Sequence, residues 1–194
     1  MDDLVRMWFT LSGNQAAKSE FAEIAKELED HRQNFEHGDT QVVAKVLFGG
    51  KELLFGDPVL GGNANWVFVD EADSTQISLT SGWRPAFGVG EEILKRIIVH
   101  DSNAKLHLNF VDGAPNFSGG SVYALLNDKI FRTDAWEEYD PSEVLFESEY
   151  EKLTPEEAEG YITWDDVHEE METCQMAAIE LLRKRTKHDF SEGF

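Results

Sequence analysis

The sequence has little cysteine and little positive charge. Its 194 residues include one cysteine, Cys174, so no disulfide closes within the chain and a reducing cytoplasm is the expected setting. Seventeen Lys and Arg stand against 38 Asp and Glu, a net charge of −21. A polyanion of this kind is repelled by phosphodiester backbones and acidic lipid headgroups, which argues against nucleic acid or membrane as direct partners and favours basic ones. No apolar run approaches the roughly twenty residues of a membrane span. Met1-Asp2-Asp3 opens acidic, without the basic-then-apolar pattern of a secretory leader, so a soluble protein without a signal peptide is expected.

Catalytic signatures are missing too. There is no nucleophile elbow and no zinc-ligand spacing, and the glycines of 113–120 lack both the GxGxxG order and the lysine of a phosphate-cradling loop. Those glycines read as turn residues. His168 and Glu172 share a helix face at i and i+4, but no third metal ligand accompanies them, and a solvated surface is the simpler reading. No catalytic residue, metal or cofactor is assigned, and a non-enzymatic protein is expected.

What the chain does have is a concentration of carboxylates. Between Asp134 and Glu172 sixteen of them face one base, Lys152. Tyr139, Val144, Phe146, Tyr150, Ile162 and Trp164 are threaded among them, more apolar surface than a disordered polyanion carries, so the charge is expected on folded structure. If Glu156 to Glu172 were helical, its eight carboxylates would span roughly 24 Å, about one per 3 Å. Nucleic-acid strands place one phosphate per about 3.4 Å, and duplex DNA about one per 1.7 Å.

Along the chain, Val5, Met7, Phe9 and Leu11 alternate as a strand, and Asn14 is an N-cap candidate for a helix carrying Ala17, Phe21, Ile24 and Leu28. Gln41 to Phe48 alternates as a second strand, with Gly49-Gly50 as a hairpin turn into Leu53-Leu54-Phe55. Strands are expected at Trp66 to Val69 and Gln76 to Thr80, then a helix after Pro85 with Ile93, Leu94, Ile97 and Ile98. Further strands are expected at Leu106 to Phe110, Val122 to Leu126 and Ile130-Phe131, with a turn at Asn127-Asp128. This order predicts an α+β domain over 1–135, a ferredoxin-like antiparallel sheet with two helices on one face. An acidic helical extension, 136–194, packs on it or projects from it.

The run Ile77-Ser78-Leu79-Thr80-Ser81-Gly82-Trp83-Arg84-Pro85, the helix after it, Leu106 to Val111 and Phe117-Ser118-Gly119-Gly120-Ser121-Val122-Tyr123 resemble the YubB-type ferredoxin-like domain of plasmid, prophage and pathogenicity-island proteins. The resemblance covers roughly 1–135, best over 75–131, and departs from the family pattern at Arg84, which stands between Trp83 and Pro85. It implies a mobile-element context and no particular activity.

In the extension, Thr154-Pro155-Glu156-Glu157 is a capping box for a short helix ending at Gly160, and Thr163-Trp164-Asp165-Asp166 opens a longer one to about Thr186. Val167, Met171, Cys174, Ala178 and Leu181 form its apolar seam, through which a homodimer is one expectation. The leading expectation is an inhibitor of the anti-CRISPR or anti-restriction type, mimicking nucleic acid in the basic channel of a host defence protein. Its partner-binding candidates are Glu137, Glu138, Asp140, Glu147, Glu149, Glu151, Glu156, Glu157, Asp165, Asp166, Glu169 and Glu170, with Trp136, Tyr139 and Trp164 as aromatic anchors. A further alternative is a small-ligand pocket at Trp83 and Arg84, where the guanidinium would hold a phosphate or carboxylate.

Overall fold

The structure, a computed structural model, describes residues 4–34, 40–51, 53, 56–61, 64 and 66–191. The alternating residues Val5, Met7 and Phe9 form strand β1 (Leu4–Ser12) and are fully buried. Helix α1 (Gln15–Asn34) follows, its first turn capped by Asn14, whose Oδ1 accepts from the Ala17 amide at 2.9 Å. Its Ala17, Phe21, Ile24 and Leu28 make one buried stripe.

The segment expected as a second strand is instead a helix, α2 (Thr40–Leu47). Val42, Val43, Ala44 and Leu47 are all buried, a helix face, whereas Val46 and Phe48 of the alternating set are only half-buried; the apolar run itself accommodates either period. Gly49 and Gly50 have φ of 64° and 78°, and the Gly50 amide returns to the Ala44 carbonyl at 3.0 Å. Left-handed glycines serve a helix stop as readily as a hairpin, which is why the pair misleads. Leu53 is buried outside any strand, and Leu54 and Phe55 lie outside the described residues.

A 310 turn at Pro58–Leu60 leads to β2 (Val67–Ala72), β3 (Ile77–Gly82), α3 (Phe87–Ile97), β4 (Lys105–Asp112), β5 (Phe117–Leu126) and β6 (Lys129–Glu138). The six strands make one sheet in the order β2-β3-β1-β4-β5-β6, each neighbour antiparallel. The turn between β5 and β6 is Asn127-Asp128, as expected, with φ of 49° and 59°. The β7 (Val144–Leu145) and β8 (Ile162–Thr163) strands form a separate parallel pair, with α4 (Glu147–Tyr150) between them and α5 (Trp164–Ser191) after.

Helices α1, α2 and α3 cover one sheet face and share its core, where Phe9, Phe21, Leu79, Ile93, Phe110 and Tyr123 are buried. The other face of β4, β5 and β6 is covered by α5, through two smaller clusters around Val122, Ala178 and Leu182 and around Val111, Val144 and Val167. The described chain is therefore α+β with helices on both faces. The strand β6 runs through residues 135 and 136 without interruption, so sheet and acidic segment are joined inside a strand.

Phe117 to Gly120, expected within a turn, belongs to β5. Weak strand propensity at Ser118-Gly119-Gly120-Ser121 hides the strand. The glycines are there for close approach: a Cβ on Gly119 would lie 2.6 Å from Phe110 Cζ, and one on Gly120 would lie 2.5 Å from Gln175 Cα and 2.6 Å from its backbone nitrogen. The backbone of α5 cannot yield as a flexible side chain would. Gly120→Ala is expected to cost about 1–3 kcal/mol, measured by urea unfolding; unchanged stability would mean that α5 is not seated on β5 as described.

Candidate functional site

The acidic segment begins on a sheet strand and ends on a helix. Val144-Leu145 pairs with Ile162-Thr163, and the Ile162 amide donates to the Glu143 carbonyl at 2.9 Å, so the 146–161 excursion is fastened at its base. Thr163 opens α5 with the expected capping box: its amide and hydroxyl donate to Asp166 Oδ2 at 2.7 and 2.8 Å, and the Asp166 amide returns to Thr163 Oγ1 at 3.2 Å. The capping box at Thr154 forms too, with its amide and hydroxyl each 2.9 Å from Glu157 Oε2. It supports only one turn, not the expected helix, before Gly160 at φ 91°.

Several expected partner contacts are thus holding the fold. Glu147 Oε1 accepts from the Asp165 amide at 2.9 Å and ties α4 to the first turn of α5; amide donors hold its carboxyl below its ordinary 4.5. Ser142 lowers Asp140 and the Thr154 amide lowers Glu157 in the same way. Glu149 Oε2 accepts from the Phe146 amide at 3.3 Å. These hydrogen bonds hold the four carboxylates in place.

Some of the acids elsewhere are answered by bases. Arg96 binds Glu20 at 2.8 Å and Glu27 at 2.7 Å, Arg32 binds Glu29, Lys95 binds Glu92, and Lys51 lies 3.5 Å from Asp57. Of the sixteen carboxylates between 134 and 172, only Asp134 has an ion pair among the described residues, with Arg132 at 2.7 Å. Glu137, Glu138, Tyr139, Asp140 and Glu170 come together, with Glu143 and Ile162, around a groove of about 420 Å³. Tyr139 Oη hydrogen-bonds Ser118 Oγ at 2.8 Å, and burial, with lesser contributions from Glu170 and Glu137, raises its phenol above its ordinary value. Burial first, then Glu170 and Glu137, pushes the Cys174 thiol up to about 11.

The remaining candidates are dispersed. Glu151 and Glu156 are exposed in the 146–161 excursion, and Asp165 and Glu169 are exposed on the first turns of α5. Trp164 is half-buried, stacked on Phe146 with centroids 6.2 Å apart, and acts as a staple for that excursion. His168 Nδ1 lies 2.8 Å from the Trp164 carbonyl, and no group of three His, Cys, Asp or Glu suited to a metal occurs among the described residues. The α5 seam runs Val167, Met171, Cys174, Ala178 and then Leu182, with Leu181 45% exposed. It is buried against the chain's own β5 and β6, so the homodimer expected through that seam loses its contact face.

Trp136, half-exposed, points away from the acidic groove. The period of two along β6 sends it and Glu138 to the face of Phe110 and Phe117, while Glu137 faces α5. There, Arg84, Phe87, Phe110, Phe117, Arg132 and Trp136 surround a cavity of about 370 Å³, with Glu138 at its rim. Arg84 was expected in such a pocket; Arg132, Phe87 and Trp136 were not. Their meeting depends on β6 lying two strands from β4, which no local pattern signals. Trp83 itself is 62% exposed and does not line the cavity.

No described helix is long and apolar enough to cross a membrane. No family model matches the chain, nor does any curated protein or solved structure.

Two outcomes follow from these geometries. Cys174 is expected to resist thiol reagents at mildly alkaline pH in the folded protein and to react at once in urea; fast labelling of the folded form would contradict its burial. Because the Glu147 carboxyl titrates below 4.5 when folded, its contribution is complete above that value and lost as the pH falls through the folded one. Protection of the Asp165 amide, its exchange rate relative to an unstructured chain at the same pH, should fall over that interval, and Glu147→Ala should show the low protection already above it.

Proposed function

We propose that the chain is a non-enzymatic inhibitor from a mobile genetic element, of the anti-CRISPR or anti-restriction kind. Its acidic surface occupies the basic nucleic-acid-binding channel of a host defence protein in the host cytoplasm. Carboxylates stand in for phosphates against the target's Lys and Arg, and inhibition is competitive with nucleic acid. The observation that carries this reading is a difference in pairing among the described residues: Glu20, Glu27, Glu29, Asp57 and Glu92 each meet a base, Arg96, Arg32, Lys51 or Lys95, whereas of the sixteen carboxylates from 134 to 172 only Asp134 does, and the others stand on β6, on the 139–161 segment and on α5.

Self-repulsion at −21 disfavours the compact state, and surface solubility needs far less. Capping fixes Glu147, Glu157 and Asp166 before any partner arrives, which lowers the ordering cost of binding. The Tyr139 edge in the groove offers the shape selectivity that charge alone lacks. The strand order β2-β3-β1-β4, with helices after β1 and β3, supports a ferredoxin-like reading of the amino-terminal part, extended here by β5 and β6. That reading agrees with the mobile-element context implied by the YubB-type resemblance.

The test is DNA binding by purified RNA-guided nucleases and restriction complexes, titrated with the chain at low and high salt. A susceptible target should be released from DNA at low salt, with the effect falling steeply as salt rises. Joint Glu137→Lys, Glu138→Lys and Glu170→Lys reversal should weaken inhibition about tenfold or more, while Glu23→Lys with Glu91→Lys should not. Salt-independent inhibition, or full potency in the groove variant, would overturn the proposal.

A further inference from the structure

The cavity on the far side of β6 has chemistry opposite to that of the acidic groove. Its wall is a chain of rings, Phe87 edge-on to Phe110 at 5.7 Å and Phe110 edge-on to Phe117 at 6.2 Å, with half-exposed Trp136 alongside. Two guanidiniums lie over this wall, Arg132 with its Cζ 3.7 Å from the Phe87 centroid and Arg84 at 5.1 Å from that of Phe117. Asp134 answers Arg132 at 2.7 Å. Arg84 has no ion pair among the described residues.

The backbone that presents Arg84 is strained. Trp83 has φ 73°, and the Arg84 amide donates to the Gly82 carbonyl at 2.9 Å, a γ-turn of the rare left-handed kind on a non-glycine residue. Core packing of the exposed Trp83 ring does not account for it. The turn is held from behind, where Ser81 Oγ donates to the Arg84 carbonyl at 2.7 Å and Gly82 leaves room for the Trp66 indole, 2.6 Å from where its Cβ would stand. Strain kept in this way directs the Arg84 side chain over the cavity mouth.

We infer that this cavity binds a small planar aromatic anion, its ring against Trp136 and the phenylalanine wall and its carboxylate or phosphate on Arg84. The volume of about 370 Å³ lies at the small end of ligand sites, enough for one fused ring system with its anionic group. A guanidinium already stacked on a ring is ordered for bidentate capture of an oxyanion. Glu138 at the rim and the net charge of −21 disfavour polyanions, so the ligand carries one acidic group. This inference is independent of the inhibitor reading and needs no target protein.

The experiment titrates the full chain with indole-3-carboxylate and, separately, with AMP, following the Trp136 indole and Arg84 side-chain resonances by NMR. Indole and acetate serve as half-ligand controls. Saturable shifts with either aromatic anion are expected, the responding probe showing whether carboxylate or phosphate is taken. Arg84→Met, at an exposed position, should weaken binding about tenfold or more, and Trp136→Ala should do the same. The inference is overturned if neither probe saturates, if Arg84→Met binds as well as the parent, or if indole alone binds as tightly as the anions.

Discussion

The position of the acidic groups on α5, and of the 144–163 segment fastened to its first turn, depends on how closely α5 lies on β5. At Gly120 the helix backbone sits where a side chain would otherwise be, and two polar contacts fix the register: Gln175 Nε2 donates to the Ser121 carbonyl at 3.0 Å and Thr133 Oγ1 to the Ala178 carbonyl at 2.8 Å. Small residues in the seam, Cys174 and Ala178, allow the approach, and Val167 and Leu182 anchor its two ends. Once α5 is seated, its first turns with Asp165, Asp166, Glu169 and Glu170 stand beside the end of β6, and Arg183, Lys184 and Arg185 lie at the opposite pole. Acids at the helix start and bases at its end also suit the helix dipole.

This arrangement makes the field asymmetric more than it makes the fold stable. Exposed ion pairs contribute about 0–1 kcal/mol each, so pairing Glu20, Glu27 and Glu29 while leaving 137–172 unpaired changes little in folding energy. Its effect is local potential. The Tyr139 phenol and the Cys174 thiol register it, each raised by burial and further by Glu170 and Glu137. A groove of that sign attracts cations and basic side chains from a distance.

One strand separates two kinds of chemistry. Along β6, Glu137 turns to the α5 side, and Trp136 and Glu138 turn to the Phe110 side, so residues adjacent in sequence serve different cavities. The aromatic cavity holds Arg84 and Arg132 over rings, the acidic groove holds carboxylates around Tyr139, and only Glu138 touches both.

Much of this was legible in the chain alone: β1 from its alternation, α1 from Asn14 and its apolar stripe, the Asn127-Asp128 turn, both capping boxes, and the excess of acid on folded structure. These depend on neighbours within a few residues, where side-chain period and local hydrogen bonds decide the outcome. The error at 41–48 arose because a short apolar run fits strand and helix alike, and burial against the sheet decided for α2. The glycines of β5 read as a turn because their role, room for Phe110, Trp136 and α5, belongs to residues far away in sequence. Likewise Arg132 joins Arg84, and the 167–182 seam closes on its own sheet, only through strand order. Composition by itself determined that the chain is acidic, single-cysteine and without a long apolar run; which carboxylates stand together, and which face of β6 each aromatic takes, was decided by tertiary packing, because contacts between distant segments leave no local period to read.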